Sequence, residues 1–182
     1  MKTTNIIFIS TCMLLFLSSF SSCEKENLNE LPAETQSGKN TLGCMIGNEL
    51  FLGGYFPITG AIPLGAAYKR ETKKISIYAY GKINNKAAGI IALNIDHQKI
   101  DSLQKIQIGY YSKLSSASEC FQYSVINDGE INLTKFDTIN KIISGKFNFK
   151  GKCSDELFHF SGNDSTQITQ GRFDIQLRIY DN

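Results

Sequence analysis

The sequence predicts an all-β domain, a single antiparallel β-sandwich or flattened β-barrel of about 8 to 10 strands with little helix. Three observations carry this. Apolar residues recur with period two in short runs, and turn residues separate the runs at intervals of about 8 to 12 residues. Aromatics are plentiful, 12 Phe and 8 Tyr against 3 Pro and no Trp, a composition that suits strands better than disorder.

Taken in order, Leu42, Cys44 and Ile46 alternate before a Gly47-Asn48 turn, and Leu50 to Leu52 continue after it as a hairpin. Residues 53 to 66, GGYFPITGAIPLGA, are rich in Gly and Pro yet apolar. They read as a long loop folded onto the core, or a lip over a cavity mouth. Ile75, Ile77 and Ala79 then alternate with Ser76, Tyr78 and Tyr80. Lys99 to Ile108 has Ile100, Leu103 and Ile106 near helical spacing, with Asp101 or Ser102 as a cap, and reads as one helical turn or a loop. Further runs are Gly89 to Ile95, Ile106 to Tyr111, Cys120 to Ile126, Glu130 to Phe136, Ile142 to Lys150, Leu157 to Phe160 and Gly171 to Tyr180. In the last, Phe173, Ile175, Leu177 and Ile179 face one way, and Asp174, Gln176, Arg178 and Tyr180 face the other. Gly145 and Gly171 mark a bulge or a close backbone approach. Arg172 and Asp174 sit two apart on one face, placed to pair with each other or with a neighbouring strand.

Ahead of the domain lies a different pattern. Lys2 precedes an apolar run from Ile6 to Phe20, about 15 residues against the roughly 20 that a membrane-spanning helix needs. This is the layout of a removable export signal. It ends Phe20-Ser21-Ser22-Cys23, a lipobox pattern with Phe where Leu is commoner, so the cut leaves Cys23 as an acylated N-terminus. Several acyl chains, at about 0.8 kcal/mol per buried CH₂, hold such a protein to a membrane. The alternative is a plain secreted protein, and Cys12 inside the apolar run shows that a cysteine there can be accidental. The chain thus divides into a signal at 1–22, a lipid-anchored flexible tether at 23–40 and a β domain at 41–182. Removal of the signal leaves about 160 residues, enough for one buried core. The net charge of +2 is spread along the chain, so nothing marks a nucleic-acid partner.

Three segments, LPAETQSGKNTLGCMIGNELF from Leu31, FDTINKIISGKFNF from Phe136 and ITQGRFDI from Ile168, resemble a group of uncharacterised Bacteroidota lipoproteins of the DUF6252-like kind. The resemblance implies an exported lipoprotein with a β-rich domain and brings no activity or catalytic residue with it. Glu24, Lys25 and Glu26 resemble the charged signal that sends lipoproteins of that phylum to the cell exterior, without its second consecutive acid. The expected location is the outer membrane, surface-exposed in preference to the periplasmic face. Asp101-Ser102-Leu103, Asp137-Thr138-Ile139 and Asp164-Ser165-Thr166 also look like the O-glycosylation sequon of that phylum, which would modify Ser102, Thr138 and Ser165. The competing reading is that Asp-Ser and Asp-Thr are simply favoured in turns.

With Cys23 assigned to lipid, Cys44, Cys120 and Cys153 remain in an oxidising compartment. A Cys120–Cys153 disulfide is the favoured pairing, since Cys44 alternates with Leu42 and Ile46 as a small core residue; three reduced, buried thiols are the alternative. His97 falls in a turn and His159 on a strand, with no zinc-ligand spacing, so no metal or other cofactor is expected. Asp96 with Asp101, and Asp155 with Glu156, are paired acids of the sort that a glycosidase or calcium site uses. No phosphate loop or Gly-x-Ser-x-Gly occurs, and no residue set amounts to a catalytic signature. The leading expectation is a non-enzymatic module that binds a ligand, glycan or protein, its surface lined by Tyr55-Phe56-Pro57, Tyr78, Tyr80, Tyr110 and Tyr111. A carbohydrate-active enzyme using loop carboxylates and a structural or assembly lipoprotein of the outer membrane are the alternatives.

Overall fold

The computed structural model describes residues 29–55, 62–96, 104–105, 108–113, 122–125, 129–153 and 165–181. These residues contain no helix and form eleven strands: β1 (Thr41–Ile46), β2 (Glu49–Gly53), β3 (Leu64–Lys69), β4 (Lys74–Ile83), β5 (Lys86–Asp96), β6 (Gln104–Lys105), β7 (Ile108–Lys113), β8 (Gln122–Val125), β9 (Glu130–Asp137), β10 (Ile142–Cys153) and β11 (Ser165–Tyr180). The pairings β1–β2, β2–β4, β4–β3, β3–β11 and β11–β1 close a five-strand barrel. It is mixed, because β3 runs parallel to β11. The four strands β5, β7, β8 and β10 pack outside this ring and carry pairing from β4 round to β11, while β9 flanks β10 and β6 flanks β9. Closure leaves few open sheet edges, which suits an all-β chain in water.

Period-two alternation explains the core. On β4 the inward Ile75, Ile77 and Ala79 are buried while Ser76, Tyr78 and Tyr80 look outward. On β11 Phe173, Ile175 and Leu177 do the same. Every strand but β6 contributes to one apolar cluster, in which Phe51 of β2 meets Tyr111 of β7 edge to face at 6.4 Å. Tyr68 of β3 meets Phe136 of β9 in the same way at 5.0 Å. Each fully buried Phe, Ile or Leu is worth about 1.5 to 3 kcal/mol. Cys44, fully buried among them, is a free thiol that burial pushes to a high pKa.

Tight turns set the registers. Gly47, in the left-handed region at φ +59, opens the two-residue β1–β2 turn. Asn84 and Asn85, at φ +50 and +62, make the β4–β5 turn, and two consecutive positive φ values are what a right-twisted hairpin needs. Gly145 lies at a register shift where an added Cβ would stand 2.5 Å from the Asn132 carbonyl oxygen, and Gly171 lies under the Phe147 ring.

Three expectations change. Residues 64–69, which overlap the end of the expected apolar loop, form β3, the parallel strand that completes the ring. Its Gly-Ala-Ala composition hides this, because a strand squeezed between two others has little room for side chains: a Cβ on Gly65 would stand 2.9 Å from the Tyr78 hydroxyl. Within Lys99 to Ile108, residues 104–105 are strand paired to β9 and make no helical turn; residues 97–103 and 106–107 lie outside the described part. Strand β11 begins at Ser165, six residues earlier than Gly171, and the Leu157 to Phe160 run lies outside the described residues.

Candidate functional site

Residues 31–40, the domain end of the stretch expected to be a free tether, are docked across the outside of the barrel as a strap. Its lock is Asp174 of β11, which accepts from Thr35 Oγ1 (2.6 Å) and from the backbone N–H groups of Ser37 (3.0 Å), Gly38 (2.8 Å) and Lys39 (3.2 Å). Ser144 Oγ of β10 adds a further bond at 2.8 Å. Burial opposes the charge of this carboxylate, but the hydrogen bonds outweigh burial and hold its pKa down at about 2. Gln176 N–H donates to Asn40 Oδ1 at 2.9 Å, and Pro32 lies against Gly43 where any Cβ would collide with it. Arg172 and Asp174 therefore do not pair with each other; each is engaged by the strap.

Beside the strap runs a groove of about 310 Å³ on the outer faces of β9, β10 and β11. It is lined by Glu34 of the strap, Glu130 and Asn132 of β9, Lys146 and Asn148 of β10, and Gln170 and Arg172 of β11. Glu34 bridges the two cations, 2.8 Å from Lys146 Nζ and 3.9 Å from Arg172 Nη1. The Lys146 hydrogen bond lowers the Glu34 pKa; desolvation opposes it, and the charges of Lys146 and Arg172 add to the lowering. Arg172 also donates to the Pro32 carbonyl at 3.3 Å. Gln170 reaches the groove from a bulge in β11, where its φ is +52 and the registers with both β1 and β10 slip.

A second feature lies on another wall. Tyr78 and Tyr80, two apart on the outer face of β4, meet edge to face with centroids 6.5 Å apart. Lys82, next on that face, sits 6.0 Å from the centre of the exposed Tyr55 ring. Backbone bonds from Gly54 and Tyr55 to the Tyr80 carbonyl hold this edge of the strip in place. Ile62, 46 % exposed, precedes Pro63, whose carbonyl accepts from the Tyr80 N–H at 2.7 Å.

The other residues singled out by sequence are scattered over the fold. Tyr111 is a core residue, 3 % exposed, its hydroxyl pushed up to about 12 mainly by burial, with the nearby Glu49 carboxylate adding to it, so it lines no outer surface. Thr138 stands in the β9–β10 turn, whose Asp137 carboxylate accepts from the Ile139 and Asn140 N–H groups at 3.0 and 2.8 Å and from Asn140 Nδ2 at 2.7 Å. Ser165 is exposed at the start of β11. Asp96 ends β5 opposite Lys74. Cys153 ends β10, half-buried and disulfide-bonded; Cys120, its expected partner, lies outside the described residues. So do Cys23, Phe56, Pro57, His97, Asp101, Ser102, Asp155, Glu156, His159 and the side chain of Tyr110. Among the described residues no three His, Cys, Asp or Glu side chains gather as metal ligands.

Glu34, Lys146 and Gln170 carry no signal in the sequence, because each is an ordinary polar residue until the strap and the bulge bring them together. The chain matches no family model, no curated protein and no solved structure.

Proposed function

We propose that the protein is an exported outer-membrane lipoprotein, anchored through Cys23 and displayed at the cell surface, that binds a glycan without chemistry of its own. The observation that supports this most is the Tyr55, Tyr78 and Tyr80 strip: three tyrosines on one outer wall with Lys82 among them. Tyrosine rings offer an apolar face for sugar C–H groups and a hydroxyl for sugar oxygens, and they lose little freedom on binding. Among the described residues the barrel interior is packed with Ile, Leu and Phe, which favours a reading with ligand contact on the outside.

Because the chain has no Trp, its emission comes from its 8 Tyr, three of which form this face. Titration of the full chain with neutral oligosaccharides is expected to perturb that emission, and Tyr78→Ala with Tyr80→Ala to weaken binding about tenfold while the fold is kept. Equal affinity in the folded double variant would refute the assignment. For the anchor, Cys23→Ala is expected to move the protein from the membrane to the soluble fraction, and retention in the membrane would refute lipidation.

A further inference from the structure

The outer face of β10 and β11 carries a charge arrangement that barrel packing does not require. Lys146 and Arg172 are direct cross-strand partners and both point outward, a placement in which like charges repel. The carboxylate that reconciles them belongs to Glu34, which comes from the strap and is itself half exposed. From that point the groove continues past Asn132, Asn148 and Gln170, three planar amides on three adjacent strands, with Glu130 of β9 also on its lining. Each amide both donates and accepts, as sugar hydroxyls do. Gln170 is held at its place by a bulge in a conformation unfavourable to a residue with a Cβ, and bulges of this kind re-aim side chains beside functional sites.

We propose that this groove binds an acidic sugar, a uronic-acid unit of a glycan, whose carboxylate takes the place of Glu34 between Lys146 and Arg172. Its hydroxyls then meet Asn132, Asn148 and Gln170, and Glu34 is an internal occupant that competes with the ligand. The volume of about 310 Å³ is that of a small-ligand site and accommodates a short saccharide. An acidic peptide is a poorer match. The groove exposes no apolar side chain for it, since Phe147 is 3 % exposed, and β10 and β11 are paired on both edges there, which leaves no strand edge to extend. The site lies on a different wall from the tyrosine strip and does not rest on it.

The test is calorimetric titration of the full chain with a galacturonic-acid trimer, a neutral galactose trimer and triglutamate, with melting curves to establish that each variant is folded. The uronate is expected to bind and to weaken with added salt. Lys146→Gln is expected to cost about tenfold, Glu34→Gln to strengthen binding several-fold, and Lys86→Gln, which removes an exposed positive charge at the start of β5 outside both surfaces, to change nothing. No uronate binding, equal or tighter binding of triglutamate, or a weakened Glu34→Gln variant would each overturn the proposal.

Discussion

Ser144 of β10 and Asp174 of β11 are direct cross-strand partners joined by a 2.8 Å hydrogen bond, and both are buried on the side of the sheet that otherwise faces water. They are buried because the strap covers them. Five donors converge on the one carboxylate, four of them from residues 35 to 39 and Ser144 itself. Asp174→Ala would leave these donors without their acceptor beneath the strap, and about 3 kcal/mol of stability is expected to go. Ser144→Ala removes one donor of five and is expected to cost about 1 kcal/mol. Urea unfolding measures both, and amide exchange at Ser37 to Lys39 should rise in the first variant far more than in the second.

The same carboxylate makes stability depend on acid. Its folded pKa of about 2 lies below the ordinary 3.8, so its contribution is fully present above about pH 4 and is lost as pH falls through 2. The difference corresponds to about 2 kcal/mol. Glu34 and Asp137 are shifted in the same direction, but Glu34 is half exposed and Asp137 lies in a surface turn, so solvent screens both. Acid titration of unfolding free energy should show the loss between pH 4 and 2 in the parent and a much shallower curve in Asp174→Asn. Identical curves would remove Asp174 from the acid response.

How far the sequence foretells all this depends on whether a signal is local. Alternation at Phe173, Ile175 and Leu177 reveals an inward face without any partner in view, and the structure buries those residues. Asp174 reads as solvent-facing by the same rule, and it does project outward; its burial comes from residues more than 130 positions away. The groove is hidden for the same reason, since Glu34 meets Lys146 only because the chain before β1 doubles back over the barrel. Strand β3 is obscured by its small residues, and those small residues are what its crowded position demands.

Close packing around Gly81 gives a third expectation. A Cβ there would overlap the Phe51 ring and the Leu52 carbonyl oxygen, and Phe51 is itself fully buried at the β2–β4 contact that closes the ring. Phe51 cannot withdraw without opening a void, so Gly81→Ala is expected to cost about 1 to 3 kcal/mol. Thermal unfolding of the variant beside Gly47→Ala separates the two origins. Gly47 has open space around its Cβ position, so its variant loses only through the positive φ, about 1 kcal/mol.

Gln170 offers the opposite sign. It holds φ +52 at the β11 bulge, where β1 and β10 both slip register, and left-handed backbone costs a residue with a Cβ about 1 kcal/mol relative to glycine. Glycine there would relieve that strain but would gain freedom in the unfolded chain, which offsets part of the benefit. Gln170→Gly is therefore expected to stabilise the domain by about 0.5 kcal/mol, a rise in midpoint of about 1 to 2 °C for a domain of this size. Strain of this kind at a residue that lines the groove with Lys146 and Arg172 agrees with the binding role proposed for Gln170. A lowered melting midpoint in Gln170→Gly would mean instead that the Gln170 side chain supports the fold.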